Sequence, residues 1–117
     1  MPTCVADAHF FDGKRIRTIE GIAQRDQQGE VTALSPVQQA FLDQFSFQCG
    51  YCTPGFVNAA TVLIERLRRA PIARHDVEAT VAAALESHIC RCTGYVRYYA
   101  AVRDLILTTP GLTRDSV

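Results

Sequence analysis

Surplus charge of either sign is missing from this sequence. Twelve basic residues balance twelve acidic ones, so nothing in the charge calls for nucleic acid or an anionic membrane surface as a partner. Long apolar runs are missing too. None approaches the roughly 20 residues that span a bilayer, and no direct membrane insertion is expected. Residues 1–8 show no basic segment followed by an apolar one, so no signal peptide is expected. An even set of cysteines is also lacking: there are five, four of them in two tight groups. That does not make the disulfide framework of a small secreted protein, and in a chain that is not secreted such spacing favours metal binding. Nor do strands alternate with helices around the first group in the thioredoxin manner, which argues against a dithiol oxidoreductase. What is present is an ordinary composition, 48% apolar and 21% charged over 117 residues. This is enough for one domain with a real core, not two.

The chain is organised around Gln48-Cys49-Gly50-Tyr51-Cys52-Thr53-Pro54-Gly55 and its echo Ile89-Cys90-Arg91-Cys92-Thr93-Gly94-Tyr95. Each leads at once into a helical pattern. The sequence therefore reads as two similar halves, each a helix, a cysteine pair and another helix. The fold expected is all-α: a four-helix bundle of two pseudo-symmetric halves, with a metal centre where they meet. Residues 1–30 read as a short extended arm. Within it residues 15–19 alternate like a brief strand, Gly21 ends the pattern, and residues 24–29 look like a solvated loop. Residues 31–109 make the helical domain, and 110–117 a polar tail that frays.

The helices have local signals. Ser35 caps the first and Pro36 takes its first position. Val37, Ala40, Phe41, Gln44 and Phe45 form its inner face, and it runs to near Phe47. Thr53 is the expected cap of the second, followed by Pro54, with Phe56, Ala60, Leu63, Ile64 and Leu67 as its stripe. Arg66, Arg68 and Arg69 crowd its end, where cations suit the helix dipole; they read as a solvated helix end rather than a phosphate site. Pro71 breaks the chain. A third helix is expected from near His75 or Asp76, with Val77, Val81, Ala84 and Leu85 inward. The fourth follows Thr93 and Gly94, with Val96, Tyr99, Ala100, Val102, Leu105 and Ile106 inward, and Pro110-Gly111 stop it.

Cys49, Cys52, Cys90 and Cys92 are the candidate metal ligands. Four thiolates suit zinc or an iron–sulfur cluster. Buried structural cysteines are the plain alternative, but two tight clusters before helix starts speak against it. Two helix N-termini beside the cysteines would turn positive dipole ends toward a negatively charged cluster. The spacing alone leaves open a zinc-stapled helical interaction domain with no redox role.

The runs Ser35-Pro36-Val37-Gln38-Gln39-Ala40-Phe41, Phe47 to Gly55 and Cys90 to Tyr95 closely resemble the small iron–sulfur subunit of the xanthine oxidase family of molybdenum hydroxylases. Thr18-Ile19-Glu20-Gly21-Ile22-Ala23 is similar to that family's connector between its two iron–sulfur domains. The resemblance implies a [2Fe-2S] cluster on Cys49, Cys52, Cys90 and Cys92, set next to the molybdopterin of a large partner subunit. It implies that Gln48 hydrogen-bonds the pterin and that Cys92 both ligates iron and approaches the pterin. It further implies electron transfer without catalysis by this chain, within a complex that oxidises aldehydes or N-heterocycles. A flavin or cytochrome subunit would be the acceptor. The family's small subunit begins with a plant-type ferredoxin domain whose Cys-x4-Cys-x2-Cys loop has no counterpart here. Pro2-Thr3-Cys4-Val5-Ala6-Asp7-Ala8 resembles the segment around that domain's fourth cysteine. Cys4 is then either a free thiol or a ligand to a second [2Fe-2S] cluster, completed by a separate chain that carries the rest of the ferredoxin domain. The other expectation is a cleaved or truncated product. His88 reads as a neighbour of the ligands or a surface residue. A cytoplasmic complex is expected, or a periplasmic one if a partner carries the export signal.

Overall fold

The computed structural model describes residues 3–114. Four α-helices carry the fold: α1 Pro36–Asp43, α2 Thr53–Arg69, α3 Val77–Leu85 and α4 Val96–Thr108. They run short then long in each half, 8 and 17 residues followed by 9 and 13. Each cysteine pair falls between a short helix and a long one, as the two-half reading of the sequence expects. Two small ladders complete the elements: β1 Gln24–Arg25 lies antiparallel to β2 Val31–Ala33, and β3 Ile72–Ala73 parallel to β4 Thr113–Arg114. Among the described residues no helix is long and apolar enough to cross a membrane.

α1 begins where the sequence places it. The Gln38 N–H donates to Ser35 Oγ at 3.2 Å and the Ser35 N–H donates to Gln38 Oε1 at 2.9 Å, a reciprocal capping box, with Pro36 at the first position. α2 supplies the largest share of the core, with Phe56, Val57, Ala60, Leu63, Ile64 and Leu67 buried. Val37 and Phe41 of α1, Val77, Val81 and Leu85 of α3, and Tyr98, Ala101, Val102 and Ile106 of α4 close over it. Full burial of each large apolar side chain contributes about 1.5–3 kcal/mol. Tyr98 lies at the centre, its ring stacked on Phe56 (4.1 Å between centroids, 7° between planes) and met edge-on by Phe41 at 5.0 Å.

Several local expectations give way to tertiary structure. Residues 15–19 form no strand. Arg17 instead reaches out to Glu65 on α2 at 2.7 Å, and Ile19 enters a 3-10 turn, Ile19–Gly21, whose side packs on the core. Of the loop expected at 24–29, Gln24 and Arg25 form β1 and the rest belongs to the turn of the β1–β2 hairpin, where the Asp26 carboxylate accepts from the Gln28 and Glu30 N–H groups. Thr53 opens α2 but does not cap it, because its hydroxyl is taken by Tyr98 at 2.7 Å and Cys52 holds the cap position. α4 buries Val102 and Ile106 as expected, but Tyr98 and Ala101 join them at the core while Val96 is exposed. Of the expected tail, Leu112 is fully buried and β4 pairs with β3, so the chain is anchored through Arg114; residues 115–117 lie outside the described residues.

α1 stops at Asp43, earlier than the apolar pattern suggests. The Ser46 N–H bonds to the Phe41 carbonyl and the Phe45 N–H to that of Leu42, a Schellman ending that needs a left-handed residue at Phe45. Phe45 has φ +50° and is 73% exposed. A β-carbon in that region costs about 1–2 kcal/mol, and the exposed ring recovers little of it. Phe45→Gly should therefore raise the urea midpoint of the chain, by about 0.5–1 kcal/mol of unfolding free energy. An unchanged or lower midpoint would show that the ring's contacts outweigh the strain.

Candidate metal centre

Both cysteine segments end where a long helix starts. Gly50, at φ +80°, turns the first so that Cys49 and Cys52 lie on the same loop. Gly94 and Tyr95, at φ +66° and +75°, do the same for the second. Neither α2 nor α4 carries a side-chain cap, so the N-terminal dipole ends beside the thiols are not covered by a cap of their own.

The four thiols come together two and two. Cys49 Sγ and Cys92 Sγ stand 3.6 Å apart, and both residues are exposed. Cys52, half-buried, and Cys90, buried, lie deeper, close enough for each to shift the other's ionisation. Among the described residues no three His, Cys, Asp or Glu side chains gather round one point as for a single ion. Two sulfurs on one tetrahedral metal, with bonds of about 2.3 Å, stand about 3.8 Å apart, so the outer pair already has the separation one metal atom requires. A donor set of four thiols in two pairs fits a two-iron cluster with two thiolates on each iron better than one ion with four.

Inner and outer pairs differ in surroundings. The Thr93 hydroxyl lies 2.9 Å from Cys90 Sγ and also accepts from the Tyr95 N–H. Burial pushes the Cys90 thiol up, but the Thr93 hydroxyl and N–H, the Cys52 thiol and the Cys92 N–H outweigh it and bring it down to about 7. Cys52 goes the other way. Burial raises it, and the Tyr98 hydroxyl 3.6 Å away offsets only part of the effect. Burial likewise holds the Tyr98 phenol well above its ordinary range, so at neutral pH it is a protonated donor.

The remaining expected site residues are placed as follows. Gln48 is exposed beside Cys49. Cys4 lies exposed in the 3-10 turn Thr3–Val5 and is not part of either pair. His88 packs over the first turn of α2, its ring 5.2 Å from that of Phe56, where only a glycine fits: a β-carbon on Gly55 would come within 2.8 Å of it. Tyr98 is the residue that the sequence reading missed. Apolar residues flank the cysteine segments in sequence: Phe45, Phe47, Tyr51, Ile89 and Val96 are all exposed, Tyr51 at 95%. The Ser46 hydroxyl on the Arg97 carbonyl, at 3.0 Å, binds the Phe45-Ser46-Phe47 bend to the start of α4.

The reduced, metal-free chain should show one thiol that ionises near pH 7. The folded value for Cys90 lies below the ordinary 9.0. Its contribution to stability is therefore complete above about pH 9 and is lost as pH falls through about 7. Ultraviolet thiolate absorbance should rise in a first step near pH 7 that Cys90→Ser removes, and the urea midpoint of the metal-free chain should climb through the same window. A single step near the ordinary thiol value would refute this.

Comparison with known proteins agrees with this geometry. The [2Fe-2S] binding domain family matches residues 18–103. The chain is 35% identical over 104 residues to the xanthine dehydrogenase iron-sulfur-binding subunit of Escherichia coli O157:H7, covering 89% of this chain and 59% of that protein. It is 38% identical over 102 residues to the nicotine 6-hydroxylase small subunit of Paenarthrobacter nicotinovorans, covering 87% and 54%. To the nicotinate dehydrogenase small FeS subunit of Eubacterium barkeri it is 40% identical over 103 residues, covering 88% and 58%. The chain thus spans a little over half the length of these relatives. With four thiols paired at two helix starts and a match that takes in both cysteine segments, the chain belongs to the [2Fe-2S] binding domain family.

Proposed function

We propose that this chain is the electron-transfer iron–sulfur component of a molybdopterin-dependent hydroxylase or dehydrogenase, and that it transforms no substrate itself. The observation that carries the reading is the gathering of Cys49, Cys52, Cys90 and Cys92 as two pairs at the starts of α2 and α4. The relatives named for xanthine, nicotine and nicotinate support an N-heterocycle, within the wider aldehyde or N-heterocycle class, as the substrate of the complex.

A [2Fe-2S] group held by these four cysteines supplies one-electron transfer. The protein's own part is binding and tuning. Cys49, Cys92, Cys52 and Cys90 would hold the group, while the Thr93 hydroxyl and the start of α2 favour negative charge on the inner sulfurs. The core packed behind Cys90 and Cys52 excludes water from that side. Gln48 and Cys92, both exposed, would meet a pterin on the large partner subunit, and the exposed Phe45, Phe47, Tyr51, Ile89 and Val96 would bury against that subunit. The acceptor beyond would be a second [2Fe-2S] cluster and then a flavin or cytochrome subunit. Cys4, exposed near the start of the described residues, serves as a ligand of that second cluster in concert with a separate chain.

The test is to purify the complex through a tag on this chain, identify the accompanying chains by mass spectrometry, and record the EPR spectrum after reduction. A molybdenum-containing subunit together with a [2Fe-2S] signal is the expected result. A colourless preparation with bound zinc and no signal would overturn the proposal in favour of a structural staple. Cys49→Ser or Cys92→Ser should abolish cluster loading and turnover while the large subunit still binds its substrate, and normal turnover in either variant would sink the ligand assignment.

A further inference from the structure

The most buried polar group facing the thiols is one that the proposed function leaves unused. Tyr98 has no exposed surface, yet its hydroxyl is in reach of two groups at the start of α2: Thr53 Oγ1 at 2.7 Å and Cys52 Sγ at 3.6 Å. The second distance is long for oxygen but within reach for sulfur, whose radius is larger. The ring cannot swing away, because Phe56 stacks on its face and Phe41 closes on its edge. A tyrosine so fixed is a costly way to fill a core, since its hydroxyl must find a partner wherever it is buried.

We infer that Tyr98 is a positioning residue for the cluster, donating an O–H···S hydrogen bond to Cys52 and thereby raising the reduction potential. The inference rests on the cluster-binding reading above. Its direction follows from counting protons. Tyr98 and Thr53 have one hydroxyl proton each. Once Cys52 binds metal it is a thiolate and can only accept. Between Tyr98 and Cys52 the donor must then be the phenol. Thr53, 2.7 Å away, donates in turn to the phenol oxygen. The result is a directed chain, Thr53 to Tyr98 to Cys52, in which each bond polarises the next. A hydrogen bond to a ligand sulfur stabilises the more negative, reduced form more than the oxidised one. The chain therefore acts on the potential rather than on whether the cluster binds.

Tyr98→Phe keeps the ring, its stack on Phe56 and the core volume, and removes only the donor. In the full chain, purified with whatever partners it brings, this variant should hold the wild-type amount of iron with the same reduced EPR signal. Its midpoint potential in a dye-mediated titration should fall, corresponding to a roughly threefold to tenfold lower reduced-to-oxidised ratio at fixed potential. Thr53→Val, which leaves the phenol free to donate but unsupported, should shift the midpoint the same way by less. Meta-fluorotyrosine incorporated at position 98 has a stronger donor in the same shape and should shift the midpoint upward, which keeps the test decisive if the phenylalanine variant fails to fold. A purely structural role predicts no shift for the fluorinated residue. A wild-type chain without a [2Fe-2S] signal would overturn the cluster reading and this inference with it. A loaded wild type whose midpoint does not respond to the Tyr98 changes would overturn this inference alone.

Discussion

The stack of Phe56 on Tyr98 joins the first turns of α2 and α4. Most of what is distinctive about the site depends on it. Phe56 follows Cys52 by one helical turn, and Tyr98 lies in the first turn after the second cysteine segment. With the two rings 4.1 Å apart and 7° from parallel, the helix starts cannot slide past each other, and the loops that hang from them keep their spacing. Phe41 closes the edge of the pair from α1. Packing of this density resists small displacements, so a cluster bridging the two loops would find its donors already near their working positions. That lowers the ordering entropy that a flexible four-thiol site would lose on binding.

The same arrangement sorts the four thiols into unlike pairs. Cys52 and Cys90 face the core, and each has a hydroxyl partner, Tyr98 for one and Thr93 for the other. Burial disfavours their charged forms, and the hydrogen bonds answer that penalty unequally. Cys90 is brought down to about 7, whereas Cys52 remains raised. Of the two inner thiols Cys90 is therefore the one that ionises more readily at neutral pH, and a metal bound here would have to displace a more firmly held proton from Cys52.

Much of this was legible from local chemistry, and the remainder was not, for physical reasons. Ser35 and Pro36 announce α1 because a cap and a proline at the first helical position are signals complete within two residues. The cysteine spacing announces a site because two thiols that close in sequence have few other uses. The inner face of α4 is legible in part: Val102 and Ile106 are buried as their spacing predicts, whereas Val96 is exposed and Tyr98 takes the buried place. Only the Phe56 and Phe41 rings, distant in sequence, decide between them. The β3–β4 pairing joins segments separated by two helices, and two-residue strands have no period to read. The end of α1 escaped notice because its left-handed position holds Phe45 rather than the glycine that usually marks such endings. Pairing of outer thiols with outer and inner with inner is likewise invisible to spacing, since either loop offers both kinds.

The uneven exposure of the site bears on what it is for. A metal that only staples a fold does best with every ligand closed off, as structural zinc sites are. Here Cys49 and Cys92 are at the surface, and the segments that carry them also expose Gln48, Phe45, Tyr51, Ile89 and Val96. Phe45 holds its place there at a backbone cost of about 1–2 kcal/mol, with none of the described residues covering most of its ring. Such strain is rarely retained for a solvent-facing loop. It is reasonable at a surface that another protein covers, because the apolar area buried on docking can offset it. A centre anchored on one side by hydrogen-bonded sulfurs against the core and open on the other through exposed sulfurs is suited to passing an electron across a protein boundary. A closed staple would have no use for the open side.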